Sequence, residues 1–151
     1  MDILTSLQLI RRDGTNCTIE QLDDAQFIAL YFASQRSGAC RAFRGLLSSV
    51  VHELRISGRC LNVIVVSLDR SNAEMMDLLT DCRDYWPAVP FESDARMALL
   101  HRFDVVQTPT VVILNRNGNV VSVFGRDYIE IDGADVWDRW TKGTNPDAEP
   151  K

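Results

Sequence analysis

Residues 27–45 read FIALYFASQRSGACRAFRG and are the most informative part of the sequence about the fold. The first seven of these residues are apolar throughout, which predicts a buried strand covered on both faces. From Gly38 onward the apolar side chains recur at helical spacing, so a helix follows directly. A Cys-x-x-Cys pair at such a strand-to-helix junction is a dithiol redox motif. Here the first position is Ser37, and only the second, Cys40, is a cysteine.

Length and composition indicate a single globular domain. The 151 residues are 46% apolar and 25% charged, with four cysteines and a net charge of −5. That charge disfavours nucleic acid, which needs a basic face, and no apolar run approaches the ~20 residues of a membrane span. The cysteines lack metal-ligand spacing, so we expect no metal and no cofactor. Without a basic leader segment, we expect a cytoplasmic monomer, with the nucleus as an alternative location.

Strand and helix signals alternate along the rest of the chain. Asn-Gly at residues 117–118 predicts a tight hairpin, and Ser71 and Ser93 predict helix N-caps. The predicted strands are Ile3–Ile10, Gln26–Ser34, Leu61–Leu68, Thr110–Leu114 and Asn119–Phe124. The predicted helices are Ile19–Asp24, Gly38–Ile56, one from Ser71 to about Cys82, one from Ser93 to about Phe103, and one over about Ala134–Thr141. Residues 143–151 are polar and predict a disordered tail.

Four local motifs carry a resemblance to a known family. They are residues 31–43 (YFASQRSGACRAF), 65–69 (VVSLD), 86–91 (WPAVPF) and 108–110 (TPT). In this order and spacing they resemble the active-site strand, second core strand, Trp-containing loop and cis-proline segment of the tryparedoxin and nucleoredoxin-like branch of the thioredoxin superfamily. The resemblance implies an α/β thioredoxin-like fold over residues 1–142, in which helices flank a central mixed sheet and an N-terminal β-hairpin-like extension precedes it.

The active-site motif departs from that family. Where the family carries Trp-Cys-Pro-Pro-Cys, this chain has Arg36, Ser37, Gly38, Ala39 and Cys40. Disulfide exchange needs sulfur on both partners, and a serine hydroxyl stays protonated. Ser37 therefore cannot start the reaction. The simpler interpretation of Ser37 is a helix N-cap that accepts a backbone N–H.

Cys40 occupies the position of the family's resolving sulfur, one helical turn inside the site. That position predicts a buried sulfur that does not react first. Arg36 and Arg41 flank Cys40 and would favour a thiolate, so a reactive monothiol is the second interpretation. A pair with Cys82, which precedes the loop of Trp86, is the third.

The Thr108-Pro109 segment predicts a recognition surface beside the motif. The resemblance implies a cis proline that leaves the backbone of Thr108 able to bind an extended peptide as an added strand. Trp86 and Arg36 are the other candidate peptide-binding residues. A structural turn proline and an aromatic core lid are the alternatives for Pro109 and Trp86. Asp69, at the end of the second core strand, is expected to be a solvated residue at a helix N-terminus, with a ligand at a topological switch point as the alternative.

Two functions remain open. The first is a binding or redox-regulatory protein, weak or inactive as a disulfide reductase, which holds a protein or peptide segment in the groove. The second is an active thiol-disulfide oxidoreductase that uses Cys40 alone or with Cys82, with glutathione or a dithiol as electron donor. The first is favoured because loss of the attacking sulfur disables the two-step exchange.

Overall fold

Two β-sheets organise the protein in the computed structural model, which describes Leu4, residues 7–82 and residues 84–142. The strands are β1 (Gln8–Ile10), β2 (Asn16–Thr18), β3 (Phe27–Ala33), β4 (Leu61–Ser67), β5 (Thr110–Asn115) and β6 (Val120–Ser122). β1 and β2 form an antiparallel pair, and the other four form a mixed sheet in the order β4-β3-β5-β6. β4 runs parallel to β3, whereas β5 is antiparallel to both of its neighbours.

Helices cover both faces of the mixed sheet. They are α1 (Gly38–Ile56), α2 (Asn72–Asp81), α3 (Asp94–Arg102), α4 (Gly125–Asp132) and α5 (Val136–Thr141), with 3-10 turns at Ile19–Gln21 and Gly133–Asp135. Side chains along β3 alternate between the faces. Phe27 and Tyr31 pack with buried residues of α1, α2, α4 and α5, whereas Leu30 packs with α3 and the β1–β2 pair. No helix in the described ranges is long and apolar enough to cross a membrane.

The predicted architecture is confirmed, with a central mixed sheet, flanking helices and an N-terminal hairpin. β3 is buried at every residue, as its unbroken apolar sequence predicts. The hydroxyls of Ser71 and Ser93 accept backbone N–H groups at the starts of α2 and α3. Gly118 has φ +85° in the turn between β5 and β6, as an Asn-Gly hairpin requires. These signals act within a few residues and are therefore readable from the sequence.

Helix α4 is missing from the sequence prediction, and the predicted strand Asn119–Phe124 is too long. β6 ends at Ser122, and α4 begins with Gly125. A Cβ at Gly125 would lie 2.8 Å from both the Cγ1 atom and the carbonyl oxygen of Val111 on β5. Helix α4 therefore depends on close contact with β5. Because glycine has a low helix propensity, the sequence did not indicate that a helix begins at Gly125.

The N-terminal prediction is also corrected. Leu4 lies in a turn whose carbonyl accepts the N–H of Leu7, and both side chains enter the core there, so the strand begins only at Gln8. The short helical turn predicted over Ile19–Asp24 is present as a 3-10 turn, but it ends at Gln21. The predicted tail, residues 143–151, lies outside the described residues.

Candidate functional site

The candidate site lies at one end of the central sheet. The parallel strands β3 and β4 both end there, and the antiparallel β5 begins there, with Thr110 opposite Phe32. The turn that holds Ser37 follows β3, and the Thr108-Pro109 segment precedes β5. Sheet topology thus brings to one edge the two segments that the sequence analysis assigned to a single groove.

Ser37 caps helix α1, as predicted. Its backbone is extended, and its hydroxyl oxygen accepts a hydrogen bond from the N–H of Cys40 at 3.1 Å. A nucleophilic serine needs a base beside it. His52 lies on α1 itself, about 22 Å further along the helix axis, and His101 lies on α3 beneath the other face of the sheet. Ser37 therefore has the geometry of a helix cap, and neither His52 nor His101 is placed to act as its base.

Cys40 lies beneath the capped turn. Its exposed fraction is 0%, and its carbonyl oxygen accepts the hydroxyl proton of Tyr31 at 3.2 Å. The first turn of α1 is therefore tied to β3 from below. The sulfur of Cys40 is part of the core between α1 and the sheet.

A second buried thiol approaches the same tyrosine. Burial raises the pKa of the Cys82 thiol to about 11, and the nearby Arg44 guanidinium only partly opposes this. Burial also raises the pKa of Tyr31, and proximity to the thiols of Cys40 and Cys82 adds to the effect. The Cys82 thiol and the Tyr31 hydroxyl are therefore neutral at physiological pH. All four cysteines of the chain are free thiols in this structure.

Asp69 corrects the expectation of a solvated carboxylate, because only 7% of the residue is exposed. One carboxylate oxygen accepts the N–H of Gln35 at 2.7 Å and the hydroxyl of Ser34 at 3.2 Å. The other oxygen accepts the hydroxyl of Ser67 at 2.7 Å. Asp69 thereby ties the segment that leads to Ser37 onto the end of β4. A lone Asp after a buried strand was the only sequence signal of this role.

Arg36 points toward α2 and not toward the proline segment. Its Nε atom donates to the Glu74 carboxylate at 2.5 Å, which holds the pKa of Glu74 below its ordinary value. Arg41, one turn into α1, donates to the carbonyl oxygen of Gln35 at 3.1 Å. Both arginines therefore brace the turn that contains Ser37 from the α1–α2 side.

The Thr108–Pro109 peptide bond is cis, as the resemblance implied. Among the described residues, the backbone N–H and carbonyl of Thr108 have no hydrogen-bond partner. A cavity of about 200 Å³ adjoins Pro109 and extends to Phe124. Phe124 and Val123 expose 36% and 41% of their surface beside it. The sequence prediction missed both residues because it placed them inside a strand.

Trp86 is not part of that surface. It is 5% exposed and packs edge-on against Tyr31, with ring centroids 6.0 Å apart. Ser37, Cys40 and the Thr108-Pro109 segment thus share one end of the sheet. Trp86 lies in the core next to that end. This agrees with the alternative interpretation of Trp86 as an aromatic lid of the core.

The chain matches a protein-family model described as Thioredoxin-like over residues 24–120. It is 33% identical over 120 residues to probable nucleoredoxin 2 of Oryza sativa subsp. japonica, covering 79% of this chain and 30% of the relative. It is 31% identical over 127 residues to nucleoredoxin-like protein 1 of Xenopus laevis, covering 80% of this chain and 59% of the relative. The chain therefore spans less than two thirds of the length of these relatives.

Solved structures share the fold. Tryparedoxin from Trypanosoma brucei superposes with a TM-score of 0.76 at 20% identity, covering 93% of this chain and 99% of that one. Thioredoxin from Wuchereria bancrofti superposes with a TM-score of 0.75 at 24% identity, covering 95% of this chain and all of that one. Tryparedoxin I from Crithidia fasciculata gives 0.73 at 24% identity, covering 87% and 90%.

Proposed function

The chain belongs to the thioredoxin-like family, and we propose that it is a nucleoredoxin-like member that binds protein segments as a redox-regulatory module with little or no disulfide reductase activity. Its bound segment would lie in the groove beside Pro109. The cytoplasmic or nuclear location and the monomeric state remain predictions from the sequence.

The observation that carries the proposal is that Ser37 lacks a sulfur and that Cys40 is buried. Reduction of a disulfide begins when a thiolate attacks one sulfur, forming a mixed disulfide and releasing the other sulfur as a thiolate. A second thiolate of the enzyme then displaces the bound substrate sulfur. Ser37 has no sulfur for the first step, and Cys40, which would serve the second, is fully buried. Neither step has an available nucleophile in this arrangement.

The groove beside Pro109 does not depend on a sulfur atom at position 37. An extended peptide can pair with free backbone groups, such as the N–H and carbonyl of Thr108. Phe124 and Val123 offer apolar contact next to it, and the adjoining cavity can accept a side chain. Arg126 donates to the carbonyl of Pro109 at 3.4 Å, which secures α4 against the proline segment. These features support peptide binding in the absence of thiol chemistry.

Reduction of insulin by dithiothreitol tests the catalytic half of the proposal. We expect the wild type to match the uncatalysed rate, and Ser37→Cys to exceed it because a helix N-terminus favours a thiolate. Ser49→Cys, which adds an exposed thiol elsewhere on α1, is the matched control and should stay at background. Wild-type activity that disappears in Cys40→Ser would instead establish the alternative, an oxidoreductase using glutathione or a dithiol, and Cys82→Ala would show whether Cys82 takes part.

Binding of carboxymethylated insulin B chain tests the recognition half. Fluorescence anisotropy should show saturable binding to the wild type that Phe124→Ala weakens by roughly five- to ten-fold, as truncation of an apolar contact does. Ile131→Ala removes an apolar side chain on α4 that is more exposed still, at 56% against 36% for Phe124, and should leave the affinity unchanged. Ser37→Ala should also bind normally. Equal affinity of the Phe124→Ala and Ile131→Ala variants would place binding elsewhere and contradict the proposed groove.

A further inference from the structure

A second cleft lies apart from the proline segment, between α1 and the C-terminal end of α2. Its volume is about 550 Å³, within the range of small-molecule sites. Arg41, Arg44 and Gly45 line it from α1, and Asp81 and Asp84 line the opposite side. No residue of this cleft belongs to the groove at Pro109.

The α1 side of the cleft is positively charged. Arg41 and Arg44 are three residues apart and lie on one helix face. Within the described part of the chain, neither is within 4.0 Å of a carboxylate. The guanidinium of Arg44 also lies beside the buried thiol of Cys82, and its Nη1 atom is buried without an acceptor among the described residues. The two guanidinium groups that line the cleft thus have no carboxylate partner in the described ranges, and an incoming carboxylate would supply one.

The opposite side is negatively charged. Asp81 accepts the side-chain amide of Gln35 at 2.7 Å, and Asp84 accepts the hydroxyl of Ser48. These bonds orient the two carboxylates and leave acceptor capacity on each, because a carboxylate has about four lone-pair sites. Both carboxylates could accept hydrogen bonds from an ammonium group.

Gly45 keeps the cleft open. Glycine is less favourable than alanine in the middle of a helix, yet a Cβ at Gly45 would meet nothing within 4 Å. Packing therefore gives no reason for a glycine here. Its effect is to leave space on the floor between the arginines and Ser48.

We propose that this cleft binds a small zwitterion bearing an α-ammonium and a carboxylate group, as found in a free amino acid or at the γ-glutamyl end of a peptide. The carboxylate would meet Arg44 and Arg41, and the ammonium group would meet Asp81 and Asp84. A plain anion is disfavoured because two carboxylates line the same space, and a plain cation because two arginines do. The proposal concerns a separate site and goes beyond the proposed function.

NMR titration of the full chain with L-glutamate and with reduced glutathione tests the proposal. We expect saturable shifts of the amides at residues 41–48 and 80–82, with a Kd below about 1 mM for at least one of the two ligands. Preference for glutamate would indicate a free amino acid, and preference for glutathione a γ-glutamyl peptide. N-acetyl-L-glutamate, which lacks the ammonium group, should bind at least about ten-fold more weakly. Absence of saturable shifts with both ligands would overturn the proposal, as would equal binding of N-acetyl-L-glutamate or inorganic phosphate.

Variants of the cleft give the second readout. Arg44→Met and Asp81→Asn should each weaken binding by about ten-fold, whereas Arg102→Met and Asp77→Asn, exposed on α3 and α2, should not. Gly45→Ala should raise the melting temperature by a few degrees, because alanine favours the helix, and yet weaken binding by filling the floor. A purely structural glycine would give the first effect without the second, and unchanged affinity in Gly45→Ala would contradict the proposed site.

Discussion

The hydroxyl oxygen of Ser37 accepts a hydrogen bond from the backbone N–H of Cys40 at 3.1 Å. This single bond joins the two positions that would form the dithiol in a redox-active relative. It satisfies one of the free N–H groups at the start of α1. Ser37, which occupies the position of the attacking cysteine, therefore stabilises the start of helix α1.

Replacement of Ser37 by alanine should destabilise the protein. The N-cap hydrogen bond would be lost, which costs about 1 kcal/mol of unfolding free energy. Ser37→Asp should retain most of the stability, because aspartate caps as well and suits the helix dipole. Urea unfolding measures both, with Ser49→Ala in the exposed middle of α1 as control. A Ser37→Ala variant as stable as that control would show that the cap contributes nothing.

Thiol labelling should separate the four cysteines. Cys60 is partly exposed, whereas Cys17, Cys40 and Cys82 are each at most 2% exposed. Iodoacetamide should therefore modify Cys60 first in the native protein, as peptide mass spectrometry would show. Cys40 should be modified only when the protein is unfolded with urea. Native labelling of Cys40 at the rate of Cys60 would refute its burial and favour the monothiol alternative.

Asp69→Asn should loosen the turn that contains Ser37. The carboxylate accepts three hydrogen bonds, from Ser34, Gln35 and Ser67, and an amide has only one oxygen to accept them. We expect a loss of about 1–3 kcal/mol of unfolding free energy. Asp77→Asn on the exposed side of α2 is the matched control. Faster amide hydrogen exchange at residues 35–40 should accompany the loss, and unchanged exchange there would refute the positioning role.

Stability should fall at alkaline pH. The folded protein keeps the Cys82 thiol neutral up to a pKa of about 11, whereas the unfolded chain ionises it near the ordinary value of 9.0. The stability that this thiol contributes is complete below pH 9 and is lost as pH rises toward 11. The free energy of unfolding should fall by at most about 3 kcal/mol from this thiol. Urea unfolding between pH 7 and 11 should show a shallower fall for Cys82→Ala than for wild type, and equal slopes would contradict this origin.

Two glycine-to-alanine substitutions should have opposite effects. At Gly125 a Cβ would lie 2.8 Å from the backbone oxygen of Val111, so the alanine variant should lose about 1–3 kcal/mol as α4 is pushed off β5. At Gly45 the space is open, and alanine should add up to about 1 kcal/mol. Thermal unfolding of the two variants compares them directly. A neutral Gly125→Ala variant would contradict the close approach of α4 to β5.

Much of the fold could be predicted because its signals are local or periodic. The unbroken apolar run of β3, the helical spacing along α1 and the Asn-Gly turn before Gly118 each specify one element without reference to the rest of the chain. Helix α4 could not be predicted in this way. Gly125 at its start is explained only by the close contact with Val111 on β5, which is distant in the sequence.

The candidate site divides along the same line. The capping role of Ser37 was predictable, because an N-cap bond joins residues three apart. The buried state of Asp69 was not, because its partner Gln35 is 34 residues away. Val123 and Phe124 were missed for a related reason, since the end of β6 is decided by its pairing with β5.

Residue identity and local spacing are sufficient to show that a strand-to-helix junction presents Ser37 and Cys40 in place of two cysteines. The full burial of the Cys40 sulfur, by contrast, is a property of the folded chain. So are the ion pair of Arg36 with Glu74 and the opposite charges that face each other between α1 and α2. Burial and charge pairing depend on which distant segments pack together, and cooperative folding of the whole chain sets that packing.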